Sequence, residues 1–360
     1  MENIEEILFE LVAAGLGKRN DCGFSKDVDW QDIYRTAMMQ GVAAICLDGL
    51  QSLHLNNVIP YPVKMQWIAS AMKQEQMYNA QWQSAASLAK MWHDAGLDTY
   101  VMKGFVLANM YPKPSARYSC DMDCFLICEH VWGGEKGNVV VENQRIDVDR
   151  SYYKNSKFCF NGLTVENHQY LLPIKGSKKA KRFESWLREQ METKVDEYIG
   201  DSYLQVPSDM FNAVYILAHA QEHFFEDGIV LKHICDWAMV LKTYANKVDW
   251  DEWKHVCKEY GMLSFGYAMS RLANKVCGVT VPFDCPKDDE ADRRLLDDTL
   301  YRKACNNGKR SDMQVRIDLV KNMFRNSWKY CMFSDTNFLM FCGRRVWGYL
   351  FDKDLDKFYL

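Results

Sequence analysis

Apolar residues recur at helical spacing through the first 95 positions of the chain. A stripe with a period of about 3.6 residues runs from Glu5 to Ala14, and Asp29 stands just before a second stripe of the same kind. No Gly or Pro occurs from Val63 to Ala95, which predicts one long helix, or two, with Gly96 as the stop signal. We therefore interpret residues 1–95 as an N-terminal helical region.

The spacing changes from about residue 97 onward, where short apolar and alternating runs are typical of strands. The Asn161-Gly162 dipeptide is a strong signal for a hairpin turn. The elements predicted here are strands at Thr99–Met102, Ser119–Cys128 and Arg145–Asp149, a short helix at Phe105–Met110, and a hairpin over Phe158–Glu166. Residues 96–175 are thus predicted to form a core built on a mixed sheet.

Helical spacing returns after residue 176. Pro207-Ser208-Asp209 predicts the start of a helix that runs to about Phe225. Further helices are predicted at Val230–Tyr244, Trp250–Tyr260, Leu263–Cys277 and Asp288–Asn306. The aromatic residues near the end indicate a docked helical terminus: Trp347, Tyr349, Phe351, Phe358 and Tyr359. With residues 176–360 as a C-terminal helical domain, the predicted fold class is α+β, a mixed-sheet core flanked by helices from both ends.

Composition narrows the function classes. The 360 residues include 44 basic and 48 acidic side chains, so binding to nucleic acid by bulk positive charge is excluded. No apolar run is long enough for a membrane span, and the acidic start of the chain differs from a signal peptide. The 13 Cys contain no C-x-x-C pair, which favours reduced thiols in the core. We expect a cytoplasmic globular protein with no membrane partner.

The strand predicted at Ser119–Cys128 carries two acids at a spacing that suits metal chemistry. Because side chains alternate along a strand, Asp121 and Asp123 share one face, with Cα atoms about 6.5–7 Å apart. The opposite face is apolar and holds Cys120, Met122, Cys124 and Leu126, so Cys120, Cys124 and Cys128 are read as core residues. Two carboxylates on a buried strand need a counter-charge, and Mg²⁺ or Mn²⁺ with substrate phosphates supplies one.

Basic residues near these acids indicate a site for a metal-bound triphosphate. Lys103-Gly104 lies between a predicted strand and a short helix, and Arg117 lies four residues before Asp121. Gly permits close backbone approach, while Lys103 and Arg117 supply positive charge for phosphate.

A third carboxylate is expected on a neighbouring strand. Glu166 lies on the polar face of the second hairpin arm, together with Thr164 and His168. Asp147 and Asp149 compete for this role, because they alternate with apolar residues in another predicted strand. We prefer Glu166.

These residues, taken in order, resemble a known family. The sequence Lys103-Gly104, then Tyr111-Pro112-x-Pro114-x-x-Arg117, then Asp121-x-Asp123 is similar to the uncharacterised nucleotidyltransferase family of the DNA polymerase β superfamily. Three further segments also resemble the family: Trp30 to Val42 with its Gln40-Gly41 pair, Val165 to His168, and His219 to Trp237. The resemblance covers about residues 30 to 245.

The resemblance implies transfer of a nucleoside monophosphate from an NTP, such as ATP, to an acceptor hydroxyl, with release of pyrophosphate. It implies that Asp121, Asp123 and Glu166 bind the metal ions. Lys103, Gly104 and Arg117, with Lys232 as a further candidate, would bind the nucleotide. The acceptor is expected to be a small molecule, a protein or a nucleic acid.

Four alternatives remain open at this stage. His219-x-x-Glu222-His223 matches an inverted zinc-peptidase pattern, and these histidines are otherwise packing residues or a wall facing the nucleotide. Lys232 either pairs with Asp236, four residues on, or reaches phosphate or acceptor. The basic cluster at 175–182 is either a solvated helix start or a contact for the acceptor. The whole chain is alternatively a non-catalytic nucleotide-binding or interaction protein on the same fold.

Overall fold

The computed structural model describes residues 4–18, 28–55, 58–173, 178–191, 198–226, 228–301 and 324–334. The N-terminal region contains helices α1 (Ile4–Gly15), α2 (Trp30–Met39), α3 (Ala43–Ser52) and α4 (Tyr61–Asp94). The Asp29 side chain accepts hydrogen bonds from the backbone N–H groups of Gln31 and Asp32, so it caps α2 as its position predicted. The long apolar segment forms one helix of 34 residues, and the C-cap Ala95 directly precedes Gly96.

A mixed sheet of six strands follows α4. The strands are β1 (Asp98–Met102), β2 (Asp121–Cys128), β3 (Val131–Trp132), β4 (Asn155–Phe160), β5 (Leu163–His168) and β6 (Leu204–Gln205). Their order is β4-β5-β2-β1-β6, with β3 paired to β2. The pairs β2–β5 and β1–β6 are parallel, whereas β1–β2 and β4–β5 are antiparallel. The α+β prediction is confirmed.

Local predictions in the sheet region have mixed outcomes. The short helix α5 (Gly104–Met110) and the hairpin turn at Asn161-Gly162 are confirmed. The strand predicted at Arg145–Asp149 is wrong, because this segment is irregular apart from a single bridge between Asp149 and Lys157. Helix α6 (Gly134–Glu142) was not predicted. Strand β6 comes from beyond residue 176, so the sheet draws on more of the chain than 96–175.

Six labelled helices and a short last one complete the described chain. Their bounds are α7 (Lys178–Met191), α8 (Asp209–Phe225), α9 (Leu231–Tyr244), α10 (Trp250–Tyr260), α11 (Leu263–Cys277), α12 (Asp289–Tyr301) and a last helix at Ser327–Phe333. Ser208 accepts a hydrogen bond from the backbone N–H of Phe211 and so caps α8. The predicted helix beyond Tyr301, the terminal aromatic cluster from Trp347 to Tyr359 and the start of the basic cluster at 175–177 lie outside the described residues.

The two faces of the sheet pack against different layers. Met122, Cys124 and Leu126 of β2 face the C-terminal half of α4 and helix α6. Phe125 and Ile127 face the opposite way, into a larger core that α1–α3 share with α7–α12. The helical regions at both ends of the chain therefore form one hydrophobic layer over the face of the sheet that carries the candidate acids. No described helix is long and apolar enough to cross a membrane.

Candidate active site

A cavity of about 490 Å³ lies between the sheet and the helical layer formed by α8 and α9, at the N-terminal end of β2 and the C-terminal end of β5. Every residue proposed from the sequence as a catalytic or nucleotide-binding group lines this cavity: Lys103, Gly104, Arg117, Asp121, Asp123, Glu166 and Lys232. Asp147 and Asp149, the competing acids, are exposed and are not among its lining residues. The predicted clustering of these side chains is confirmed, whereas their roles remain predictions.

Strand register brings the three acids together. Parallel pairing of β2 with β5 sets Asp123 directly opposite Glu166 and sets Asp121 opposite Thr164. Asp121 and Asp123 lie on the same face because they are two residues apart on one strand. This confirms the predicted placement of Glu166 on the neighbouring strand and on the same face as the aspartates.

Asp123 is buried, and one of its carboxylate oxygens accepts hydrogen bonds from two side chains. Its Oδ1 accepts hydrogen bonds from Nζ of Lys103 at 2.7 Å and from Nε2 of His168 at 2.9 Å. Burial alone would raise the pKa of Asp123, but the Lys103 ammonium and the His168 hydrogen bond outweigh burial and hold this pKa well below its usual range. Asp123 is therefore an anion at neutral pH.

Asp121 has the opposite electrostatic character. Burial raises the pKa of Asp121, and the negative charge of Asp123 raises it further, while Lys103 partly offsets both. No residue in the described part of the chain forms an ion pair or hydrogen bond with the Asp121 carboxylate. The Asp121 carboxylate is therefore available to a ligand in the cavity.

Glu166 completes a compact group of ligand atoms. Asn155 Nδ2 donates to its Oε2 at 2.7 Å, and Lys157 Nζ donates to its Oε1 at 3.2 Å. Single ligand atoms from Asp123, Glu166 and His168 all lie within 4.8 Å of one another, and among the described residues this is the one such group of three. These atoms, which lie on two neighbouring strands, could together hold a metal ion.

His168 lies on the polar face of β5, and the sequence alone assigns it no role. It is 1% exposed, and its Nδ1 lies 3.1 Å from the carbonyl oxygen of Tyr170. Both ring nitrogens thus face oxygen acceptors, an arrangement that orients the ring toward Asp123. The signal that could have found it is its spacing, two residues after Glu166 on the same face of β5.

Lys103 and Gly104 form the joint between β1 and α5. Lys103 has a φ of 52° and a ψ of −104°, a backbone conformation that side-chain-bearing residues rarely adopt and that is often found at functional sites. A Cβ on Gly104 would lie 3.0 Å from Ser119 Oγ and 3.3 Å from the Asp121 carbonyl oxygen. Gly104 therefore permits close approach of α5 to the start of the acid-bearing strand.

Arg117 forms a buried ion pair with Asp236. Its Nε and Nη2 donate to Oδ1 and Oδ2 of Asp236 at 2.8 and 2.9 Å, and its Nη1 donates to the Gly104 carbonyl at 3.3 Å. Tyr111 also donates to Asp236, at 2.7 Å. Arg117 reaches the cavity as predicted, with its charge balanced by Asp236, and contact between Arg117 and phosphate stays a prediction.

Lys232 is left without the partner that its spacing suggested. Asp236 is occupied by Arg117, and no described residue forms an ion pair or hydrogen bond with the Lys232 ammonium. Burial lowers the pKa of Lys232, and the nearby Arg117 lowers it further. An unpaired lysine facing a cavity is a natural contact for an anionic ligand.

The histidines of α8 line the helical wall of the cavity. Nε2 of His223 lies 3.0 Å from Nε2 of His219, and His223 packs beside His233 with ring centroids 5.6 Å apart. Burial lowers the pKa of His219 well below its usual range, and positive charge on Lys103 lowers it further. Among the described residues, neither His219 nor His223 belongs to a group of three metal-ligating side chains, so this part of the chain offers the zinc-peptidase alternative no third ligand. The wall interpretation is the one that this placement favours.

Cys120 departs from the core prediction. Cys124 is buried on the apolar face and Cys128 is half-buried, but Cys120 is exposed and lines the cavity. The reason is that β2 begins only at Asp121, so strand alternation does not apply to Cys120.

Comparison with known proteins agrees with this geometry. No curated protein and no solved structure matches the chain. The family described as uncharacterised nucleotidyltransferase matches residues 26–278, which is well over half of the 360 residues and includes every candidate site residue. The chain therefore belongs to the uncharacterised nucleotidyltransferase family.

Proposed function

We propose that this protein transfers a nucleoside monophosphate from an NTP to an acceptor hydroxyl and releases pyrophosphate, with Mg²⁺ or Mn²⁺ bound by the cavity acids. The observation that carries the proposal is the register between β2 and β5, which sets Asp123 beside Glu166. Asp121, two residues before Asp123 on β2, lies on the same face, so all three acids line the cavity. Membership of a nucleotidyltransferase family supports the reaction class.

The acids fit a hard divalent cation. Ligand atoms bound to one Mg²⁺ at about 2.1 Å are at most about 4.2 Å apart, so the 4.8 Å spread of the Asp123, Glu166 and His168 atoms requires only small side-chain rotations. The carboxylates of Asp121, Asp123 and Glu166 would hold the ion, since Mg²⁺ prefers oxygen ligands, while His168 orients Asp123. When bound, the ion would polarise the phosphate oxygens and lower the pKa of the acceptor hydroxyl.

Lysines supply the positive charge for the triphosphate. Lys103 has a flexible aliphatic chain and a compact ammonium group. When a cation binds to the acids, this ammonium can leave the Asp123 carboxylate and contact a phosphate oxygen instead. Lys232 faces the same cavity and has no partner to give up within the described residues. In this proposal the two lysines, rather than Arg117, contact the β- and γ-phosphates.

The chemical step is an in-line substitution at the α-phosphorus. The acceptor oxygen forms a bond to that phosphorus, and the bond between the phosphorus and the α,β-bridging oxygen breaks. Pyrophosphate leaves with the electron pair, and the hydroxyl proton passes to Glu166. Glu166 suits this role because it is more exposed than Asp123, with side-chain exposures of 23% and 7%, so an acceptor can reach it.

Pyrophosphate release from each of the four NTPs, measured across small-molecule, protein and nucleic-acid acceptors, tests the proposal. Metal-dependent release by the wild type that is lost in Asp123→Asn would support it. Mg·NTP binding with no release from any acceptor would instead favour a non-catalytic nucleotide-binding protein. Stoichiometric zinc in the purified protein, lost in His219→Ala, would favour the peptidase alternative.

A further inference from the structure

The Gln40-Gly41 turn between α2 and α3 lies against the start of α9. Gln40 is polar yet only 6% exposed, and all its polar groups are used. Its Oε1 accepts a hydrogen bond from the Leu231 backbone N–H at 2.8 Å, and its carbonyl oxygen accepts one from the Lys232 N–H at 3.2 Å. Its Nε2 donates to the Thr299 carbonyl at 3.0 Å. Gln40 thus caps α9 and joins it to α2 and α12.

Gly41 supports the side chain of Lys232. Its φ is 68°, a conformation that favours glycine, and a Cβ there would lie 3.4 Å from Cβ and 3.6 Å from Cδ of Lys232. The aliphatic stem of this lysine therefore rests on the bare backbone of the turn. A Cβ at position 41 would touch this stem at ordinary van der Waals distance, so a substitution there acts through the strain of the positive φ in the turn that supports Lys232.

One turn further along α9, Asp236 is held by Arg117 and Tyr111 through the hydrogen bonds described above. The segment that carries Lys232 is consequently fixed on both sides, by Gln40 before it and by Asp236 after it. Because Gln40 already accepts from the first N–H groups of α9, the positive charge that this segment offers to the cavity is the Lys232 ammonium.

We propose that Gln40 and Gly41 are positioning residues for the nucleotide, because they hold Lys232 where its ammonium contacts the triphosphate. This inference rests on the proposed function and deepens it. It gives the N-terminal helical region a part in substrate binding, although no residue of that region lines the cavity among those described. The ligand class is a polyphosphate, and the nucleobase is not needed for this contact.

The test is a double-mutant cycle on the affinity for Mg·ATP, with Mg·tripolyphosphate as a counterpart that lacks base and sugar, measured by titration calorimetry. Lys232→Met is expected to weaken binding of both about tenfold or more, the effect of losing one charge-assisted contact. Gln40→Met should weaken both by a similar factor. Because Gln40 acts through Lys232, the double variant should bind no more weakly than Lys232→Met alone.

Two matched controls separate positioning from loss of stability. Gln221 is also buried and donates to two backbone carbonyls, those of Gly261 and Phe333, so Gln221→Met removes comparable hydrogen bonds elsewhere. Its melting temperature should fall like that of Gln40→Met, while its Mg·ATP affinity stays at the wild-type value. Gly41→Ala should weaken binding, because it strains the turn on which the Lys232 stem rests. Gly96→Ala introduces a similar strain, at a φ of 74°, in a turn that does not touch Lys232, so it should leave the affinity unchanged.

The outcomes distinguish this inference from the proposed function. If Asp123→Asn abolishes Mg·ATP binding but Gln40→Met binds like the wild type, the positioning role is overturned and the proposed function stands. Losses from Gln40→Met and Lys232→Met that add in the double variant also overturn it, because independent effects cannot act through one ammonium. If Asp123→Asn leaves Mg·ATP affinity and its metal dependence intact, the proposed function itself fails.

Discussion

Two buried aspartates, Asp123 and Asp236, face the same cavity and have opposite kinds of surroundings. Both carboxylate oxygens of Asp236 accept hydrogen bonds from the planar guanidinium of Arg117, and Oδ1 accepts a further one from Tyr111. Asp123 is held through one oxygen by the flexible ammonium of Lys103 and by His168. Both carboxylates are only about 5% exposed, at 4% for Asp236 and 5% for Asp123, so burial alone does not distinguish them.

The difference lies in charge balance and in the geometry of the partner. Arginine binds a carboxylate in a fixed two-pronged geometry, whereas lysine is a point charge on a mobile stem. In addition, two other acids, Asp121 and Glu166, lie beside Asp123. Burial raises the pKa of Asp121, and repulsion from Asp123 and Glu166 raises it further. The balanced pair at Asp236 joins the helical layer to the sheet region, whereas the excess negative charge around Asp123 is where the proposed cation would bind.

The largest expected effect comes from Asp123→Asn. We expect pyrophosphate release to fall by about a thousandfold or more, because several kcal/mol of charge stabilisation depend on the cation that this acid holds. Circular dichroism should show a folded protein. Pyrophosphate release at the wild-type rate by this variant would remove Asp123 from the site.

The second prediction concerns the structural pair. Asp236→Ala should lower the free energy of unfolding by about 3–5 kcal/mol, measured by urea denaturation, because Arg117 is then a buried charge without its partner. The double variant Asp236→Leu with Arg117→Met should recover most of this loss, since it buries no charge. A loss of less than about 1 kcal/mol in Asp236→Ala would show that the pair is not a structural joint.

The third prediction uses ligand-induced stabilisation. At one hundred times Kd, Mg·NTP should stabilise the wild type by about 2.7 kcal/mol, seen as a rise in melting temperature. Asp121→Asn should lose most of this rise, because one anionic ligand is gone. The control His219→Ala should keep it, since His219 is a wall residue. The reverse result, with the rise lost only in His219→Ala, would move the site to the histidines of α8.

The smallest effect is a pH dependence of opposite sign at Asp236 and Asp121. Burial opposes ionisation of Asp236, but Arg117 and Tyr111 outweigh it and lower its pKa. The stability from Asp236 is therefore present above about pH 4 and is lost as pH falls below that value. Burial and Asp123 raise the pKa of Asp121. The charged Asp121 therefore costs stability at neutral pH, and this cost disappears as pH falls below about 4.

Metal-free melting curves of two asparagine variants check these signs. Asp121→Asn should be more stable than the wild type at pH 7, by up to about 1 kcal/mol, and the difference should vanish at low pH. Asp236→Asn should be less stable at pH 7, with a difference that shrinks at low pH. A lower stability of Asp121→Asn at pH 7 would contradict the assignment of Asp121 as an acid destabilised by its neighbours.

Strand and helix periodicity in the sequence determined which side chains share a face. Asp121 and Asp123 fall on one face of β2 because a strand repeats every two residues, and the Asn161-Gly162 turn sets Glu166 on the same side of the next strand. The exact match of the predicted and observed bounds of α10 and α11 has the same local origin. The strand predicted at Arg145–Asp149 failed because a short alternation does not specify a ladder partner.

Only the tertiary structure decided which charges meet. Spacing within α9 suggested a pair between Lys232 and Asp236, but Arg117, 119 residues away in sequence, occupies Asp236 instead. Likewise, His168 reaches Asp123 across 45 residues, and Gln40 reaches the start of α9 across 191. The physical reason is that periodicity is a property of neighbouring residues, whereas charge pairing depends on distances that exist only after the helical layer has packed on the sheet.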